Sequence, residues 1–201
     1  MKSFLLGTGN AHKADEFKEL FSDTLKINAA PRTLEIDETG KTFIENALIK
    51  AKAYFENYKV PALADDSGLV VEALPDILGV QSARFAPELP EYSDKCLKLI
   101  DLLNSTHKDR SAYFVCVLCF YLSADEIYFF EGRVQGKIGN ELKGDKGFGY
   151  DPIFIPDRKE NDGMSLAQLP DWKNEFSHRA KAATAAVEFF KESVDKTGNK
   201  P

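Results

Sequence analysis

The 201-residue sequence predicts an α/β fold built around a mixed β-sheet. Strand-like apolar segments alternate with amphipathic helical ones through the first half, and two β-branched, aromatic-rich runs follow each other in the second. No internal repeat, low-complexity tract or linker interrupts them, so residues 1–201 read as a single domain with room for two lobes.

"SFLLGTGN" reads as a short buried strand broken by Gly7 and Gly9, with Asn10 as N-cap of the helix that follows. That helix, "AHKADEFKELFSDTL", carries Phe17, Leu20, Phe21 and Leu25 near helical spacing. After a polar loop, "TFIENALIKAKAYFENY" starts with a capping box, Thr42 and Glu45, and lines Phe43, Ile44, Ala47, Leu48, Ala51, Phe55 and Tyr58 along one stripe. "ALADDSGLVVEAL" is expected as two strands around a tight turn at Ser67-Gly68. "SDKCLKLIDLLN" is amphipathic and helical. "SAYFVCVLCFYL" and "EIYFFEGRVQGKI" are two strands of a hairpin or meander. "GDKGFGYDPIFIP" is a glycine-rich loop running into a short strand, and "SHRAKAATAAVEFFKESV" is a closing helix capped by Ser177. The tail after Asp195 is polar and expected to fray.

The composition is that of an ordinary globular protein, and no apolar run approaches the ~20 residues that span a bilayer. "MKSFLLGTGN" is too short in apolar length for a signal peptide, so a cytoplasmic address and no membrane partner are expected. A net charge of -6 disfavours nucleic acid as a partner, while leaving room for a small phosphorylated ligand. Cys116 and Cys119 form a C-x-x-C inside a strand-like run, without a second ligand pair; they and Cys96 read as core thiols.

Several residues break local rules. Helix N-termini favour acids, yet the first helix opens with His12 and Lys13 and the last with His178 and Arg179. An anionic or carbonyl ligand would reverse the cost; otherwise these side chains bend into solvent. A strand, a Gly-x-Gly turn and a helix N-terminus with a lysine together make a phosphate cradle. "GTGNAHKAD" is neither a Walker A loop nor a dinucleotide fingerprint, since His12 stands in place of the third glycine. Replacing Lys13 with alanine should therefore weaken binding of a phosphate ligand while the free protein keeps its stability or gains slightly.

Asp65 and Asp66 are adjacent and interrupt an apolar run. Neighbours on a strand point to opposite faces, which argues against a shared-proton pair. The acid nearer the Ser-Gly pair can ligate magnesium beside a phosphate, with Glu38 as second ligand, or it can cap an Asx-turn. Lys50, on the face of Phe43, Ala47 and Tyr54, either snorkels or aims at phosphate. Phe148 and Tyr150, bracketed by Gly144, Gly147 and Gly149, supply either a stacking surface for a base or ordinary core rings.

Taken together, "TGNAHKADE", "ETGKTFIENALIKA", "ADDSGLVV", "GVQSARFA", "FEGRVQGKI", "GFGYDPIF" and "SHRAKA" closely resemble the inosine/xanthosine triphosphate pyrophosphatase family, house-cleaning hydrolases of non-standard purine nucleotides. The resemblance runs almost end to end. It implies an elongated mixed sheet flanked by helices, two lobes with the active-site cleft between them, Mg2+ as cofactor and a homodimer. It further implies that Thr8, Gly9, Asn10, Ala11, His12 and Lys13 form the triphosphate loop, with Lys50 as a further phosphate contact. Glu38 and Asp66 match the acids associated with magnesium, and Asp66 also the proton acceptor. Ser67 matches a substrate contact, Phe148, Gly149, Tyr150 and Asp151 the base loop, and Lys173, His178 and Arg179 the remaining purine contacts. ITP, dITP and XTP would be cleaved to nucleoside monophosphate and pyrophosphate. Donor-only Arg179, helped by His178, would pair with the 6-oxo group of hypoxanthine or xanthine and reject adenine. A nucleotide sensor without turnover is the alternative, which the clustered acids disfavour. A dinucleotide oxidoreductase fits less well, for want of the third glycine. Pyrophosphate release from ITP with magnesium separates the three.

Overall fold

The computed structural model describes residues 2–21, 24–106, 109–160 and 162–197. Among them six strands form one sheet: β1 (Ser3–Leu6), β2 (Lys26–Ala29), β3 (Ala62–Val71), β4 (Ser111–Ser123), β5 (Glu126–Ile138) and β6 (Phe154–Pro156). Their order is β2-β1-β3-β4-β5-β6. β1 runs parallel to β2 and β3, whereas β6 is antiparallel to β5, so the sheet is mixed as the sequence predicts. Only Ala124 and Asp125 separate β4 from its neighbour β5, a link short enough for an antiparallel hairpin alone. The helices are α1 (Ala11–Phe21), α2 (Phe43–Tyr58), α3 (Tyr92–Thr106), α4 (Pro170–Phe176) and α5 (His178–Thr197). No helix of the described residues is long and apolar enough to cross a membrane.

The chain forms two compact units, Met1–Asp66 with Cys116–Gly132 and His178–Pro201, and Ser67–Val115 with Arg133–Ser177. The divisions fall inside β3, β4 and β5. The first unit has an aromatic core. α1 places Phe17 and Phe21 four residues apart on one face, and Phe120 of β4 meets Phe4 edge-on at 4.9 Å and Phe190 of α5 at 5.0 Å. Small residues of α5, Ala182, Ala183 and Ala186, complete this core. The second unit buries mostly aliphatic side chains, among them Leu69, Val71, Leu99, Leu103, Val134 and Ile138. All three cysteines are buried and free, and burial pushes the Cys96 and Cys119 thiols up to about 12.

Several expectations need correction. No turn interrupts Ser67-Gly68: β3 continues through both residues as a strand of the sheet beside β4. β2 and α4 were not legible. β2 is a four-residue, largely exposed edge strand with little apolar pattern to read. α1 ends at Phe21 rather than near Leu25; Ser22 and Asp23 lie outside the described residues, and Leu25 is buried just ahead of β2. In α2, Ile44 of the expected stripe is 47% exposed, while Asn46 is 1% exposed. α5 continues to Thr197, and the remainder of the tail lies outside the described residues.

Candidate active site

The predicted site residues fall into two groups, one in each unit. In the first, β1 delivers the chain into Gly7-Thr8-Gly9-Asn10 and then α1. A Cβ on Gly7 would stand 2.4 Å from the Tyr54 ring, so only glycine lets the loop lie against α2 there. Thr8 Oγ1 accepts from the Asn10 amide at 3.1 Å, and Asn10 Oδ1 from the Lys13 amide at 3.3 Å, which makes Asn10 the N-cap as predicted. Asn10, Ala11 and His12 are exposed. No acid lies in the first turn of α1, leaving its positive end uncompensated by the helix itself.

Lys13 does not bend into solvent. Its Nζ donates to Asp65 Oδ2 at 2.8 Å, and the Asp65 carboxylate is buried. Burial alone would raise that carboxyl, but Lys13, Arg179 and Lys50 outweigh it and hold it well below the ordinary range. With Lys13 paired to a buried anion, replacing it with alanine is expected to cost stability, contrary to the expectation that stability holds or slightly rises.

Lys50 of α2 donates to Asp66 Oδ1 and pairs with Glu38 Oε1, both at 3.0 Å. One ammonium thus stands between two carboxylates, one from the loop before α2 and one from β3. Burial tends to lower the Lys50 ammonium, but the fields of Asp65, Asp66 and Glu38 raise it. The Asp66 carboxyl is pushed up, chiefly by burial, against the pull of Lys50. Asp65 and Asp66 therefore divide as expected for strand neighbours, Asp65 to Lys13 and Asp66 to Lys50. No Asx-turn forms at Asp66, because the backbone there stays extended.

His178 and Arg179, opening α5, are also buried rather than solvated. Arg179, 2% exposed, donates through Nη1 to Glu16 Oε2 and lies 5.6 Å from the Phe17 ring centre. Burial would lower its guanidinium, but Glu16 and Asp65 are among the groups that keep it charged. Glu16, Phe17 and Asp65 all belong to the first unit. β5 approaches the start of α5 at Gly132, where a Cβ would stand 2.1 Å from the His178 carbonyl.

The second group is the glycine loop. Gly144, Gly147 and Gly149 take φ of 78°, 76° and 65°, values that favour glycine. Asp151 is buried; its Oδ2 accepts from the Phe148 amide at 2.9 Å and from Lys173 Nζ at 2.8 Å. Lys173 also stands 4.5 Å from the Phe148 ring centre, a cation–π contact. The two aromatics of the loop differ. Phe148 is half-buried, whereas Tyr150 is 4% exposed in the core, its hydroxyl donating to the Ser82 carbonyl at 2.8 Å and its ring edge-on to Tyr92. A stacking surface here rests on Phe148, and Tyr150 is an anchor. Ser67, half-buried, lies on β3 in this unit.

Residues that the sequence reading missed hold these groups in place. Glu16 holds Arg179 and Ser82 holds Tyr150. Asn46 donates through Nδ2 to Asp66 Oδ2 at 3.3 Å and accepts the Gly40 amide through Oδ1 at 2.8 Å. No sequence signal marked it, since position 46 lies outside the expected apolar stripe of α2.

Among the described residues, no three His, Cys, Asp or Glu side chains are grouped to hold a metal alone. Two carboxylates do converge on a single cationic centre, Lys50 Nζ. That donor set fits magnesium brought in on a polyphosphate, since the ion takes one or two carboxylates with phosphate oxygens and water.

The profile of the Ham1 family matches residues 4–189, across both units. A protein of Aquifex aeolicus (strain VF5) named dITP/XTP pyrophosphatase is 42% identical, with 93% of this chain and 96% of that protein covered. Among solved structures, a HAM1 protein from Coxiella burnetii superposes with a TM-score of 0.84 at 35% identity, covering 96% of this chain and all of that one. The Staphylococcus aureus Ham1 protein gives 0.82 at 34% identity, with the same coverage.

Proposed function

Because the chain belongs to the Ham1 family, we propose that it clears ITP, dITP and XTP by cleaving them between the α and β phosphates, acting as one catalytic domain over residues 1–201. The observation that carries the reading is the junction at Lys50, where Glu38 and Asp66 meet one ammonium beside a helix N-terminus free of acids. Such a point gathers both the anions a metal needs and the cations a polyphosphate needs.

The triphosphate lies against Thr8 to Lys13, whose amides and helix dipole favour anions. An ammonium has three donors. Lys50 uses two on Glu38 and Asp66 and keeps one for phosphate, and Lys13 keeps two beyond its bond to Asp65. Glu38 and Asp66 would hold Mg2+, which would neutralise phosphate charge. Asp66 takes a proton from a water as its oxygen bonds to the α-phosphorus; the bond from that phosphorus to the β-bridging oxygen breaks, and pyrophosphate leaves with the electron pair. The proton passes from Asp66 to solvent. Phe148, Gly149, Asp151 and Lys173 hold the base, with Phe148 as the stacking ring and Tyr150 anchoring the loop from the core, and Ser67 makes a further substrate contact. His178 and Arg179 supply donors to the 6-oxo group. The protein acts in the cytoplasm, where its nucleotide substrates are, as a homodimer.

The test is pyrophosphate release from dITP with and without magnesium, with ATP as the rejected substrate. Release that depends on metal and strongly prefers dITP supports the reading. Binding of dITP without release would point to the sensor instead.

A further inference from the structure

Asn46 lies outside the apolar stripe expected for α2, yet it is among the most deeply buried polar side chains of the first unit. An amide so placed must have partners at both ends. Its Nδ2 donates to Asp66 Oδ2, while Lys50 donates to the other oxygen, Oδ1, so the two oxygens of that carboxylate are bound by different side chains of one helix. Its Oδ1 accepts from the amide of Gly40, two residues after Glu38. A carboxylate accepts only donors and a backbone N–H needs an acceptor, so the amide has one orientation that satisfies both. Gly40 is close enough that a Cβ there would stand 2.5 Å from Asn46 Oδ1.

We propose that Asn46 is a positioning residue: its carboxamide ties the Glu38 loop to β3 and sets the direction in which Asp66 presents its carboxylate. This rests on the reading of Asp66 as proton acceptor. The role needs a group that is donor and acceptor at once, neutral, and rigidly held, which Asn46 in the second turn of α2 supplies. Glu38 and Asp66 come from separate elements; Lys50 of α2 pairs with both, and Asn46 of α2 joins Asp66 to Gly40 in the Glu38 loop.

The test compares the parent with Asn46→Asp, Asp66→Asn and the two substitutions combined. Three quantities are read: kcat and KM for dITP with magnesium, dITP binding by calorimetry in EDTA, and thermal unfolding. Asn46→Asp keeps the acceptor for Gly40 but sets an anion against Asp66. It should lower kcat by roughly 10- to 100-fold, the range of a misdirected reacting group, with KM and EDTA binding within about threefold of the parent. In the Asp66→Asn background it should cost no further turnover, since both act through one carboxylate. The combined variant, again an amide facing a carboxylate, should recover unfolding temperature without recovering turnover. Asn46→Ser, neutral and too short for both partners, should show the same loss in kcat if Asn46→Asp fails to fold.

A kcat within threefold of the parent in a folded Asn46 variant overturns the proposal. So does a loss that only follows the folded fraction, or losses that add in the combined variant. Full turnover by Asp66→Asn would sink the reading of Asp66 and this inference together. An inactive Asp66→Asn beside an active Asn46→Asp would sink this inference alone.

Discussion

In the first unit the charged side chains of the candidate site stand on regular elements: Lys13 on α1, Lys50 on α2, Asp65 and Asp66 on β3. Their charges are buried or half-buried and lean on each other. In the second unit Phe148 and Asp151 belong to a loop shaped by left-handed glycines and pinned by Lys173 and by the Tyr150 hydroxyl. The difference separates two economies of design. Under the proposed function, charges supply the chemistry in the first unit and the same ion pairs hold the fold, so removing one costs both. In the second, a loop supplies recognition through backbone shape, and the core beneath can stay intact.

The sharpest way to break this contrast is Lys13→Ala. It should cost about 3–5 kcal/mol in urea unfolding, the range for stranding one member of a buried pair. Replacing both partners, Lys13→Met with Asp65→Leu, should cost much less. If Lys13→Ala unfolds like the parent, the charge cluster is not tied to the fold. Next is Asp66→Asn, for which turnover of dITP should fall at least ~100-fold. Near-normal pyrophosphate release at saturating magnesium would remove Asp66 from the chemistry.

The loop should behave otherwise. Gly147→Ala imposes φ of 76° on a side chain and sets its Cβ 2.2 Å from Asp151 Oδ2. KM should rise about tenfold for a stability loss of only ~1–2 kcal/mol. Gly149→Ala meets nothing nearer than Tyr92 Cε1 at 3.8 Å and should do less. Equal effects at the two glycines would show that left-handed strain alone matters. Tyr150→Phe removes the hydroxyl donor to the Ser82 carbonyl, which keeps the Phe85 amide at 3.4 Å, and should cost about 1 kcal/mol or less with little change in kcat. The smallest effect is expected at the thiols. With Cys96 and Cys119 pushed up to about 12 and buried, iodoacetamide at pH 8 should label neither until the protein unfolds.

The alternation of strands and helices, the capping box at Thr42, the hairpin runs of β4 and β5 and the glycine loop were all legible in the sequence. They rest on local chemistry: side-chain period, cap hydrogen bonds and positive φ. The charge reversals at Lys13 and Arg179 were also visible as violations of helix-end preference.

How those violations are resolved was decided by tertiary structure. Lys13 meets a carboxylate 52 residues away and Arg179 one 163 residues away, distances along the chain that no local pattern encodes. Ser67-Gly68 reads as a turn by composition and becomes strand because β3 runs on through both residues within the sheet. Tyr150 and Phe148 look alike in sequence, and only packing sends one ring into the core and leaves the other half-exposed. Local composition sets which groups the chain carries. The desolvation of each charge, and the partner that must then answer it, exist only once strands and helices from distant segments meet.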